Sequence, residues 1–114
     1  MLSTRAEHSP ALAHEVNVDA SVLLLELAAA QSAANSQAVK FIFPSSKAIY
    51  GMPNLATKAA HPRVKEDEWL HPTTMYGANK LAVELTGEYY ARHYMQLADR
   101  RPAMFDFRAL LFPV

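Results

Sequence analysis

The chain has 114 residues, about the size of one domain, and with 51% apolar and 19% charged residues it has a globular rather than a disordered composition. Eleven Lys+Arg balance eleven Asp+Glu for a net charge of zero, which is not the basic footprint that nucleic acid or an acidic membrane surface demands. Zero cysteines exclude disulfides, thiolate metal sites and a cysteine nucleophile, and agree with a reducing, cytoplasmic setting.

In chain order, MLSTRAEHSP carries charges and no apolar signal-peptide core. Ser9-Pro10 is a helix start, serine as cap and proline at the first helical position. No breaker follows until about Ala34, so a helix is expected over 10–34, ended by NSQ. Its segment ASVLLLELAAA is apolar on nearly every face, as in a helix buried on more than one side. Glu26 interrupts this run, and it is too short to span a bilayer. AVKFIFP, at 38–44, is a short β-branched and aromatic run closed by proline and reads as a buried strand. SSKAIYGMP is turn-like, and residues 51–74, with Pro53, Pro62, Pro72 and the patch KEDE, read as a long surface loop. The next helix is expected from about Thr74 to Leu97, with Ala78, Leu81, Ala82, Leu85 and Tyr89 recurring at spacings of three or four. Glu88 and Arg92 form an i,i+4 pair, and Gly87 points to close packing by a neighbour. AMFDFRALLFP, at 103–113, reads as a second strand. Helix, strand, helix, strand argues for an α/β fold with a right-handed crossover in a parallel sheet.

Within PTTMYGANKL, Tyr76 and Lys80 are one helical turn apart and point to one side. An ammonium near a phenol favours phenolate, and a tyrosine so tuned can exchange a proton near neutral pH. The plainer alternative is a tyrosine that packs its ring while the lysine is solvated. Ser45 and Ser46 follow the carboxyl end of the first expected strand, where ligands bind in open α/β sheets. A serine there could bond the same substrate oxygen; ordinary turn chemistry is the other reading. His8, His14, His61, His71 and His93 show no ligand spacing, so no metal site is expected, and no serine stands in a G-x-S-x-G elbow. Trp69 reads as a loop anchor over the cleft or, less simply, as a substrate contact.

FIFPSSKAIYG, the proline- and acid-containing loop and PTTMYGANKLAVELTGEYY together resemble the extended short-chain dehydrogenase/reductases, the NAD-dependent epimerase/dehydratase enzymes. VNVDASVLLLELA resembles the preceding helix of that family, with Asn17 at the family's asparagine. PTTMYG, ELTGEYYARHY and DFRALLFP are closest to its L-threonine 3-dehydrogenase-like branch. The resemblance covers residues 10–114 and implies part of a Rossmann-type parallel sheet, a single partial NAD(P)-binding domain over 1–114. It implies Tyr76 as acid/base, Lys80 as holder of the nicotinamide ribose, Ser46 as the catalytic serine with Ser45 beside it on the substrate, and Pro113 near the nicotinamide. NAD or NADP is the implied cofactor. A sugar nucleotide or a small hydroxy amino acid is the implied substrate, and a homodimer through the two long helices the implied assembly, with neither nucleic acid nor membrane as partner. Leu111 stands where this branch usually has arginine, Val114 where it has glycine, and Lys47 where a small or apolar residue is usual.

The whole chain contains three glycines, Gly51, Gly77 and Gly87, and they cannot supply the clustered glycines that let backbone approach a pyrophosphate at a helix N-terminus. The family keeps that motif near its N-terminus, so the resemblance implies an internal fragment lacking the glycine-rich βαβ unit. Two functions compete: an oxidoreductase or epimerase whose cofactor binding by this chain alone is doubtful, and a non-catalytic remnant acting through helix association.

Overall fold

The structure is a computed structural model, describing residues 1, 3–51, 54–60, 65 and 68–94. Helix α1 (Ser3–His8) leads into a long rod made of α2 (Pro10–His14), a wide π-helical turn (Glu15–Asp19) and α3 (Ala20–Asn35). A short 3-10 turn (Lys47–Tyr50), helix α4 (Leu55–Ala60) and helix α5 (Met75–His93) follow.

The rod starts at Ser9-Pro10 as the sequence predicts, but its middle is not regular. In EVNVD two valines crowd the preceding turn, which weakens ordinary helical geometry. Ser21 Oγ donates to the Asn17 carbonyl at 2.8 Å and so occupies a group of the widened turn. The rod ends where Ser36 adopts left-handed backbone, φ 50°, and the Gln37 N–H reaches the Ser32 carbonyl.

Helix α5 packs against α3, and the extended segment 38–44 lies along both. One cluster gathers Leu25, Ala28 and Ala91 with Phe41, Val39 and Tyr90; the other gathers Val18, Phe43 and Val83 with Val22, Phe41 and Ala82. Leu25 and Val83 are fully buried. The Tyr90 hydroxyl also donates to the Glu26 carboxylate, a cross-helix bond that pushes the phenol up to about 12. A raised phenol pKa means this bond contributes stability below pH about 10 and loses it as pH rises through about 12. The expected Glu88–Arg92 pair forms at 3.9 Å, and Gly87 is buried.

The expected parallel sheet is corrected here. The described residues are 72% helical, and among them there is no strand or sheet. Residues 38–44 are extended, with Ile42 in an isolated bridge; the Val39 N–H donates to Ser32 Oγ at 3.0 Å, and the Pro44 carbonyl accepts from Lys80 Nζ at 2.9 Å. The alternation that suggested a strand is a burial pattern, with Phe41 and Phe43 turned to the helices and Ile42 55% exposed. The second expected strand, over 103–113, lies outside the described residues, as do 95–97 of the second long helix. The expected loop over 51–74 contains α4, started by Asn54, whose side chain accepts from the Thr57 N–H at 2.8 Å. No helix among the described residues is long and apolar enough to cross a membrane.

Candidate functional site

The site is built at the first turn of α5. Thr74 is extended and caps the helix, its Oγ1 accepting from the Gly77 N–H at 3.0 Å. The Met75 N–H, another donor without an intrahelical partner, is taken by the Glu7 carboxylate of α1 at 2.6 Å. An anionic group suits the positive end of a helix, so α1 anchors the turn that carries Tyr76.

Tyr76 and Lys80 lie on one face, as their spacing predicts. Lys80 Nζ sits 5.6 Å from the centre of the Tyr76 ring and 4.6 Å from that of Phe43. It donates to the Pro44 carbonyl at 2.9 Å. The ammonium is thus over the ring of Tyr76, and the Tyr76 hydroxyl makes no hydrogen bond to another described residue. Partial burial lowers the Lys80 pKa below its ordinary value of 10.5. Nitrogen-detected titration of Lys80 Nζ is therefore expected to show a midpoint below 10.5; one above it would contradict a desolvated ammonium.

Pro44 is followed directly by the two serines. Ser46 is extended and caps the 3-10 turn, Oγ accepting from the Ala48 N–H at 3.2 Å. Its own hydroxyl proton remains available to a further acceptor. Ser45 Oγ is buried and has no hydrogen-bond partner among the described residues. Lys80 therefore brings Ser45 and Ser46 to the Tyr76 end of α5 through the carbonyl just before them. Pro113, the remaining expected site residue, lies outside the described residues.

Gly77 explains how close this approach is. A Cβ built on it would stand 2.4 Å from the Ala48 carbonyl oxygen, so only glycine lets the helix touch the 3-10 turn. Gly77→Ala would gain about 1 kcal/mol of helix propensity, but overpacking against a backbone atom costs about 1–3 kcal/mol. A net loss of up to about 2 kcal/mol is expected, read as a lower denaturant midpoint. A midpoint equal to the parent's would show that the turn yields freely.

One polar pair is not visible in spacing alone. Asn79 is buried between Tyr76 and Lys80 in sequence, and its Oδ1 accepts from Asn17 Nδ2 at 3.3 Å, tying α5 to the π-helical turn. Asn17 stands at the asparagine of the resembled family, but nothing in the sequence pairs it with Asn79. Trp69 is half-buried with left-handed backbone, φ 57°. No group of three or more His, Asp or Glu side chains among the described residues could hold a metal ion.

Tyr76 hydroxyl and Lys80 ammonium have the donor chemistry to hold the ribose of a nicotinamide nucleotide. Among the described residues the pyrophosphate end finds no such fit. Gly51, φ +70°, faces the His71 carbonyl, which a Cβ would meet at 2.0 Å, and Gly77 faces Ala48. Both positions are filled by protein carbonyls, which would repel a phosphate, instead of open backbone donors.

A family model described as the NAD dependent epimerase/dehydratase family matches residues 3–102. Among similar proteins, an uncharacterized epimerase/dehydratase of Staphylococcus aureus strain USA300 is 35% identical over 94 residues, 82% of this chain and 26% of the relative. Another, from strain MRSA252, is 37% identical over 90 residues, 79% of this chain and 25% of the relative. The chain thus spans about a quarter of the length of the curated relatives it matches. No solved structure matches it.

Proposed function

We propose that this chain, which belongs to the NAD-dependent epimerase/dehydratase family, carries the proton-transfer part of a nicotinamide-dependent oxidoreductase or epimerase. Tyr76 Oη takes the proton of a substrate hydroxyl or returns it. Lys80, held over the Tyr76 ring, favours the phenolate form. Ser46 donates its free hydroxyl proton to the same substrate oxygen, and the buried Ser45 hydroxyl supplies a second donor. The observation that carries the reading is Lys80 Nζ bridging the Tyr76 ring and the Pro44 carbonyl that precedes both serines. A bound nicotinamide would supply the hydride acceptor or donor. Tyr76, Lys80 and the backbone of Pro113 would hold that end of NAD or NADP. The substrate class is a sugar nucleotide or a small hydroxy amino acid, the latter favoured by the likeness to threonine dehydrogenases. The setting is cytoplasmic and the assembly a homodimer through α3 and α5.

The closed environments of Gly51 and Gly77 and the quarter-length match favour a second reading, an internal fragment of such an enzyme that is inactive alone and acts through helix association. Titration calorimetry of the purified 114-residue chain with NAD separates the two. No useful affinity is expected, because nothing among the described residues cradles the two charges of the pyrophosphate. Micromolar binding would overturn the fragment reading. The proton-transfer reading itself is tested by Tyr76→Phe in a complete enzyme of the family.

A further inference from the structure

We propose that Lys80 and Gly77 form a two-point clamp on the serine turn, making Lys80 a positioning residue for Ser45 and Ser46 through the Pro44 carbonyl. The first point is polar: Lys80 Nζ donates to Pro44 at 2.9 Å, with the Phe43 ring beneath it at 4.6 Å. The second is steric: Gly77 lies so close to the Ala48 carbonyl that a Cβ would be at 2.4 Å. Only Ser45, Ser46 and Lys47 lie between the two points. Their conformation is then set by α5 at both ends, over a spacing of one turn on the helix.

The contact at Pro44 is specific in its chemistry. A backbone carbonyl at the end of an extended segment needs a donor. A lysine head flanked by two aromatic rings is held in place to be one. Neither the Ser46 capping bond to the Ala48 N–H nor the Ile49 N–H to Ser46 carbonyl bond, at 3.2 Å each, reaches outside the turn. Both are internal and need an external anchor to keep their place against the helix. The clamp requires no cofactor and no substrate. The inference therefore goes beyond the proton-transfer reading and does not depend on it.

Hydrogen exchange on the full chain, read by mass spectrometry on peptides covering 45–50, tests it, since the Ala48 and Ile49 amides report on the turn. Lys80→Met is expected to speed exchange there about tenfold, the order expected for loss of one charged hydrogen bond. Lys80→Arg, which keeps a donor for Pro44 and a cation over Phe43, is expected to stay within about twofold of the parent. Gly77→Ala is expected to speed the same peptides, while peptides of α3 keep their protection. Lys58→Met, on exposed α4, changes nothing. Tyr76→Phe retains the ring and is expected to leave exchange unaltered while lowering turnover in a complete enzyme of the family, so the two proposals fail independently. Unchanged exchange in Lys80→Met would overturn the clamp. So would equal acceleration in Lys80→Arg, or acceleration spread evenly into α3, because either would mean that Lys80 does not act locally through Pro44.

Discussion

Placed within a complete enzyme of the family, Tyr76→Phe is expected to lower turnover about a hundred- to ten-thousand-fold, the usual contribution of a positioned acid/base. The substitution removes one oxygen and keeps the ring, so the Lys80 contact at 5.6 Å and the packing of the first turn of α5 survive. Cofactor affinity is expected to fall by no more than the one ribose hydrogen bond the hydroxyl would supply, about tenfold, and the larger loss to appear in turnover. Ser46→Ala is expected to lower turnover as well, by removing one oriented donor. It also removes the cap of the 3-10 turn, which accepts from the Ala48 N–H. A fall confined to Ser45→Ala would move the catalytic role to the buried hydroxyl that has no partner among the described residues. Turnover of Tyr76→Phe within threefold of the parent would show that another group moves the proton.

The long helices were legible because their ends are written in local chemistry. The helices start at Ser9-Pro10 and Thr74 as the sequence predicts, although the Ser9 side chain makes no capping bond while that of Thr74 does, and both rods carry apolar residues at helical spacing. Residues 38–44 misled for a physical reason. Alternating aromatic and β-branched residues report that one side is buried, and helices can bury it as well as a neighbouring strand can. Val39 and Pro44 find partners on the helices, at Ser32 and Lys80, and neither is near them in pattern. Helix α4 was hidden by the prolines on either side, although Asn54 ahead of LATKAA is a cap signal. The π-helical turn depends on a balance too fine for spacing arguments to resolve. In the candidate site, the one-turn relation of Tyr76 and Lys80 follows from numbering alone. The seat of the ammonium over two rings and on a carbonyl does not, since it needs Phe43 and Pro44 to be delivered by another segment. The need for glycine beside Tyr76 likewise became visible only with the Ala48 carbonyl in place.

The apolar surface left on the two long helices leads to the other large effect. Leu23, Leu24 and Leu27 on α3 are 70%, 54% and 53% exposed, and Leu85 and Tyr89 on α5 are 58% and 53% exposed. Leu23 and Leu27, and Leu85 and Tyr89, are each one turn apart, so each helix presents a stripe while its other side meets the shared core around Leu25 and Ala91. A two-fold interface uses the same patch on both subunits, and two adjacent helices from each would supply it. Light scattering at tens of micromolar is expected to show a dimer, with larger aggregates if the stripes fail to pair. Full burial of a leucine contributes about 1.5–3 kcal/mol, and Leu23 and Leu27 still have more than half of that to gain. Replacing both by glutamine removes four such side chains from a dimer, about 3–6 kcal/mol in all. That corresponds to association weaker by about a hundred- to ten-thousand-fold. Because neither side chain belongs to the two core clusters, the helical circular dichroism of the variant is expected to match the parent's. A parent that is a clean monomer at tens of micromolar, or a Leu23→Gln/Leu27→Gln variant that associates as tightly as the parent, would place the interface elsewhere or remove it.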